Sequence, residues 1–291
     1  MSSPAEDQIL EGAREVIRRE GAATAGIADQ LDESFLTAVS LLLGCRGKVV
    51  VAGSGTSGTV ARRMAHLLSV CGTPAVFLHP MDALHGSLGA VSGSDVVIAI
   101  SKGGGSAELN DFARGAQERG ARVLSLTARV DSALGRIADV SVRIAPASHA
   151  DPGGVIAMGS TLAVSAWGDA LAVTLMRLNG YSWSQVLSAH PAGTVGQLTE
   201  APPELAPLDA AALDTAALSR GSGGRPTAES EHGAAAESEN GPPTGPPLGP
   251  APGPATGSAP GPATGPAAES RSAPGADPAA ETTNHESRRL P

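Results

Sequence analysis

Two glycine-rich turns carry the residues best suited to binding a phosphate. Residues 53–58 read Gly-Ser-Gly-Thr-Ser-Gly, and residues 101–106 read Ser-Lys-Gly-Gly-Gly-Ser. Glycine lets the backbone approach a ligand closely, hydroxyl groups can donate hydrogen bonds to phosphate oxygens, and the start of a following helix favours an anion. We expect the two turns to form one anion site, with polar groups from Gly55, Thr56, Ser57, Ser101, Lys102 and Ser106.

The elements that must position these turns are short apolar strands. Residues 49–52 and 96–100 directly precede the turns and are uninterrupted runs of Val, Ile and Ala, which is typical of parallel strands buried on both faces. Further runs of this kind alternate with helical segments up to residue 144. The pattern predicts an α/β fold, a doubly wound three-layer sandwich with a five-stranded parallel sheet. A ligand is then expected at the carboxyl ends of the strands, where the strand order reverses.

Composition divides the chain into three parts. Apolar residues at helical spacing over residues 4–43 predict an N-terminal helical segment at 1–44, followed by a phosphate-binding domain at 45–199. Residues 201–291 are rich in Pro, Gly and Ala and contain no Ile, Val or aromatic residue. Such a segment cannot bury enough apolar surface to offset its ordering entropy, so we expect a disordered tail at 200–291.

Charge and composition also exclude several partners. The formal net charge of −9 argues against non-specific nucleic-acid binding. The sequence has no basic, apolar leader at Met1 and no apolar run long enough to span a membrane, and its two cysteines suit a reducing compartment. We therefore expect a cytoplasmic protein without a membrane partner. The histidine spacings match no standard ligand pattern, so no metal is expected.

Residues 53–58 also match the Gly-x-Gly-x-x-Gly fingerprint of dinucleotide-binding folds. A dinucleotide site should place an acidic residue at the end of the next strand, but that strand runs into His79 and Pro80. A dinucleotide would also leave the second turn unexplained. A nicotinamide-dependent oxidoreductase is thus the lesser alternative, and we expect no cofactor.

The sequence resembles the SIS (sugar isomerase) domain over about residues 48–198, most closely that of arabinose 5-phosphate isomerases. The resemblance is carried by residues 49–58, 72–80, 85–89, 95–101, 168–173 and 190–196. It implies a phosphorylated sugar as ligand, aldose–ketose isomerisation, and a homodimer or homotetramer with active sites between subunits. These isomerases commonly carry a pair of CBS domains after the sugar domain, and here the tail takes that place.

The resemblance also implies where the catalytic groups should be. The isomerases assign proton transfer to a lysine, two glutamates and a histidine. Only the histidine is kept, as His190, because Thr56, Gly105 and His149 stand at the other three positions. These replacements leave a second hypothesis open, a non-catalytic phosphosugar sensor.

If catalysis is retained, histidine has a suitable pKa for the proton transfer. We expect His190 and His149 to act as acid and base, with help from Glu108 in the first turn of the helix after residues 101–106. His85 is expected to line the mouth of the crevice.

Overall fold

The computed structural model describes residues 3–147 and 149–213. The predicted tail therefore lies outside the described residues from 214 onward. The strands are β1 (Val49–Ala52), β2 (Ala75–Phe77), β3 (Val96–Ile100), β4 (Arg122–Thr127) and β5 (Val140–Arg143). The helices are α1 (Pro4–Ala25), α2 (Glu33–Leu43), α3 (Gly55–Val70), α4 (Pro80–Leu84), α5 (Ala107–Glu118), α6 (Ala133–Ile137), α7 (Gly159–Leu178), α8 (Trp183–Ser188) and α9 (Gly193–Gly196).

The five strands form one parallel sheet in the order β2-β1-β3-β4-β5. β1 pairs with β2 on one side and with β3 on the other, so the strand order reverses between β1 and β3. Every residue of β1 and β3 is buried, whereas the edge strands β2 and β5 are partly exposed. The predicted five-stranded parallel sheet is confirmed.

Helices cover both faces of the sheet. On one face, Val49 and Val51 of β1 belong to the apolar core that α2, α3 and α7 complete. On the other face, Val50 and Ala52 pack in a second core with α4, α5 and α6. Because successive strand residues point to opposite faces, burial on both sides requires the uninterrupted apolar runs seen in the sequence. The predicted three-layer arrangement is confirmed.

The N-terminal helices pack against α7, and α2 also contacts β5 directly. Phe35 of α2 packs edge-on against Trp167 of α7, with ring centroids 5.5 Å apart. α1 is a single helix through Gly21, and the chain breaks only after Ala25, before α2 begins. In the described ranges, 3–147 and 149–213, no helix is long and apolar enough to cross a membrane.

Residues 201–213 remain in contact with the domain. The Trp183 indole Nε1 donates to the Pro203 carbonyl at 3.0 Å, and Arg177 Nε donates to the Ala206 carbonyl at 2.7 Å. The Glu204 carboxylate accepts from the backbone N–H of Trp183, at the first residue of α8. Contact with the domain thus extends beyond the boundary at residue 199 that composition predicts.

Candidate anion site at the ends of β1 and β3

The first glycine turn joins β1 to α3 by a close backbone approach. Gly55 has a φ of +56°, a conformation that favours glycine. A Cβ at Gly58 would lie 2.7 Å from the carbonyl oxygen of Gly53, so a side chain there would push the helix away from the strand end. The glycine fingerprint is therefore accounted for by the packing of strand against helix.

The second turn is held by its own serine. The Ser101 hydroxyl accepts from the Gly104 N–H at 3.1 Å and lies 3.4 Å from the Ser106 hydroxyl. Gly104 has a φ of +65°, and its carbonyl accepts from the Asn110 side chain. Ser101 is buried, at 7% exposure. Its hydroxyl thus shapes the turn.

The two turns meet at one small cavity on the α3–α7 face of the sheet. Ser57 of the first turn and Lys102 of the second both line it. Its other polar lining residues are Thr127, Ser160 and Thr161, and its apolar lining comes mainly from Val60, Ile100, Leu126, Ile144 and Val164. The structure therefore brings together groups from the ends of β1 and β3, as a shared anion site requires.

A lysine–aspartate ion pair stands beside this cavity. Lys102 Nζ lies 2.6 Å from Asp151 Oδ2, and the other oxygen of Asp151 accepts from the backbone N–H groups of Met158 and Ser160, each at 2.9 Å. Burial by itself would raise the pKa of Asp151. The Lys102 ammonium and the two N–H donors outweigh it and lower that pKa to about 2, so the carboxylate is ionised at neutral pH.

Glu108 lies in the first helical turn of α5, near Ser54 of the first glycine turn. The Ser54 hydroxyl lowers the pKa of Glu108, and the backbone N–H of Glu108 and the charge of His79 act in the same direction. A lowered pKa makes a carboxylate a weaker base. The lowered pKa therefore suits Glu108 better to stabilising the N-terminus of α5, in whose first helical turn it lies, than to taking a proton.

The predicted histidines do not gather at the cavity within one chain. His190 Nδ1 lies 2.7 Å from the Val186 carbonyl, at the end of α8. His149 and His85 are exposed, and none of the three is among the described residues that line the cavity. Of the residues predicted to bind phosphate, Ser57 and Lys102 line the cavity, whereas Gly55, Thr56, Ser101 and Ser106 are not among its described lining residues.

Sequence reasoning missed Asp151 and the hydroxyls of Thr127, Ser160 and Thr161. Asp151 begins an Asp-Pro-Gly-Gly stretch shortly before an apolar helix, and an acidic residue ahead of a helix is a recognised start signal. That signal could have placed the carboxylate at the start of α7. Its pairing with Lys102 could not be read from the sequence, because 49 residues separate them.

Comparison with known proteins identifies the fold and its relatives. The SIS domain family profile matches residues 42–174. Arabinose 5-phosphate isomerase GutQ of Salmonella typhimurium is 33% identical over 190 residues, covering 65% of this chain and 59% of GutQ. Arabinose 5-phosphate isomerase KdsD of Escherichia coli K12 is 36% identical over 187 residues, covering 64% and 57%. The chain thus spans less than two thirds of the length of these curated relatives.

Among the similar solved structures are two with which this chain aligns over their whole length. One is a Listeria monocytogenes protein whose suggested activity is that of a sugar-phosphate isomerase, with 34% identity over 66% of this chain and a TM-score of 0.62. The other is the E. coli CFT073 protein c3406 in complex with A5P, with 32% identity over 66% of this chain and a TM-score of 0.62. On this sequence and structural similarity, the chain belongs to the SIS domain family.

Proposed function

We propose that this chain binds a phosphorylated aldose or ketose where β1 and β3 end, and that it interconverts the two forms as a sugar-phosphate isomerase of the arabinose 5-phosphate isomerase type. The observation that carries the proposal is the single cavity lined by Ser57 and Lys102 from two separate turns. A hydroxyl and an ammonium are suitable partners for a phosphoryl group. The isomerase relatives and the A5P complex of a similar protein support the sugar as the rest of the ligand.

The reaction moves one proton between neighbouring carbons. A base removes the proton from the carbon next to the carbonyl, and an enediol forms. The proton then returns to the former carbonyl carbon, while the carbonyl oxygen gains a proton and the neighbouring hydroxyl loses one. An imidazole suits both steps because its pKa lies near neutrality. Of the predicted groups, we propose His190 as the principal acid/base residue, with His149 as the second. Glu108 and His85 stay weaker candidates.

The placement of His190 favours an oligomer. It is absent from the described lining of its own chain's cavity, so we infer that it serves the crevice of a second copy in a homodimer or homotetramer. α1 supports such an association, because Ile9 and Ile17 are 72% and 68% exposed on it. Size-exclusion chromatography with light scattering should show a dimer or tetramer. A monomer at micromolar concentration would contradict this assembly.

Binding is tested first. Isothermal titration with pentose and hexose phosphates should show saturable binding that the corresponding unphosphorylated sugars lack. Ser57→Ala should weaken it by about tenfold, the effect of losing one hydrogen bond to a charged group. Thr37→Ala removes an exposed hydroxyl from α2, well away from the β1–β3 crevice, and should leave affinity unchanged. Equal binding of sugars with and without phosphate would refute the proposed ligand.

Turnover is tested separately from binding. NMR in deuterated water should show solvent exchange of the proton on the carbon next to the substrate carbonyl. His190→Ala should abolish this exchange while leaving the dissociation constant within about threefold, because the residue is not expected to grip the phosphate. Binding without exchange in the wild type would instead select the sensor function, which the replacements at Thr56, Gly105 and His149 favour.

A further inference from the structure

Asp151 is a buried carboxylate to which the expected site gives no role. Its side chain is 4% exposed, and its two oxygens accept from Met158, Ser160 and Lys102. Met158 and Ser160 flank the first residue of α7, so the carboxylate caps this helix from the loop that precedes it. One side chain therefore links the loop before α7 to the second glycine turn.

Lys102 has the complementary position. Its side chain is 47% exposed, lines the cavity with Ser57, and reaches Asp151 at its end. An ammonium carries three N–H donors, and within residues 3–147 and 149–213 the Lys102 ammonium donates one hydrogen bond, to Asp151. Donors are left for a ligand in the cavity.

A lysine side chain is long and flexible, so it needs a fixed partner to hold its ammonium in one place. The lysine side chain has about 2 kcal/mol of rotamer entropy to lose when a ligand fixes it. The turn itself contains three consecutive glycines, which restrict the backbone little. A buried, immobile carboxylate removes part of this freedom before the ligand arrives, which is how preorganisation raises affinity.

We propose that Asp151 is a positioning residue for anion binding, which holds the Lys102 ammonium against the cavity so that it contacts the phosphoryl group beside Ser57. The inference rests on the proposed phosphosugar function, and it assigns the Lys102 ammonium as the positive charge that binds the phosphoryl group. Asp151 does not touch the ligand and acts only through Lys102.

The chain contains a matched ion pair for comparison. Lys48 Nζ lies 2.9 Å from Asp95 Oδ2, with the lysine side chain 33% exposed and the aspartate 2% exposed. This pair lies at the amino ends of β1 and β3, the opposite edge of the sheet from Lys102. Breaking it removes a comparable interaction without touching the proposed site.

The test is a double-mutant cycle on phosphate affinity. Titrations with inorganic phosphate, and with the sugar phosphate that the wild type binds best, compare the wild type, Lys102→Met, Asp151→Asn and the double variant. Each single change should weaken binding by about tenfold. The double variant should match Lys102→Met within twofold, because Asp151 has no effect once the ammonium is gone. Lys48→Met should lower the melting temperature and leave phosphate affinity unchanged.

The outcomes separate the claims. Wild-type phosphate affinity in Asp151→Asn, or additive losses in the double variant, would overturn the positioning role and leave the proposed function standing. A wild type that binds no phosphate would overturn the proposed function and this inference together. If Asp151→Asn does not fold, Asp151→Glu takes its place, because it moves the carboxylate without removing the charge. A loss of affinity that Asp151→Glu still causes in the Lys102→Met background refutes action through Lys102.

Discussion

The second glycine turn should tolerate a methyl group at one glycine and reject it at the next. At Gly104, φ is +65° and a Cβ would overlap the Ser132 side chain, 2.5 Å from its Cβ. At Gly103, a Cβ would meet no atom within 4 Å, and φ is not in the left-handed region. Gly104→Ala is therefore the perturbation and Gly103→Ala its matched control.

The cost at Gly104 has two sources. A left-handed backbone conformation costs an alanine about 1–2 kcal/mol. Overpacking against Ser132 costs roughly a further 1–3 kcal/mol, because Ser132 caps α6 and cannot move away freely. The free energy of unfolding should fall by about 2–5 kcal/mol. For a domain of this size the melting temperature should fall by roughly 5–15 °C.

Urea unfolding followed by circular dichroism measures the difference. Gly103→Ala should stay within about 0.5 kcal/mol of the wild type. Ser132→Gly removes the overlapping atoms, so Gly104→Ala should cost less in that background and leave mainly the conformational part. Equal stabilities of Gly103→Ala and Gly104→Ala would refute this geometry of the turn, and with it the placement of Ser101 and Lys102.

Two further predictions concern stability. The pKa values of Asp95 and Asp151 are about 2, below the value that an aspartate has in an unfolded chain. Each carboxylate therefore adds about 2 kcal/mol to the free energy of unfolding above pH 4, and this stabilisation is lost as the pH falls toward 2. The free energy of unfolding, measured with urea between pH 2 and pH 7, should show this loss. Asp151→Asn should make the free energy of unfolding depend less on pH, and an unchanged pH dependence would contradict the lowered pKa of Asp151. A chain ending at residue 200 loses the hydrogen bonds of Trp183 and Arg177 to the following segment and should be about 1–3 kcal/mol less stable than one ending at residue 213. Equal stability would show that these contacts contribute nothing.

Much of the fold could be predicted because its signals are local. Uninterrupted apolar runs identified the strands, and the glycine turns marked where β1 and β3 end. The break between α1 and α2 could not be placed from the sequence, because Gly21, a residue that often ends helices, lies inside a helix that continues to Ala25. A single glycine costs a helix only about 1 kcal/mol, which neighbouring turns can offset.

The site was harder to predict because its parts come from distant segments. Ser57 and Lys102 could be paired, since parallel strands bring their carboxyl ends to one edge. Asp151 could not, because its position depends on the course of a loop with few periodic residues. Composition also does not reveal the contacts of residues 203–206, where Trp183 Nε1 donates to the Pro203 carbonyl and Arg177 Nε donates to the Ala206 carbonyl.

The distribution of polar groups indicates that binding and chemistry are separable in this chain. The groups suited to phosphate lie on turns fixed by the central strands β1 and β3, so a single folded chain holds them in place. His190 instead follows the six-residue helix α8, and its Nδ1 engages the Val186 carbonyl rather than the crevice. A catalytic role for it requires another copy to supply the crevice. Under the proposed assembly, association should therefore control turnover more strongly than phosphate affinity, since only turnover would use groups from two chains.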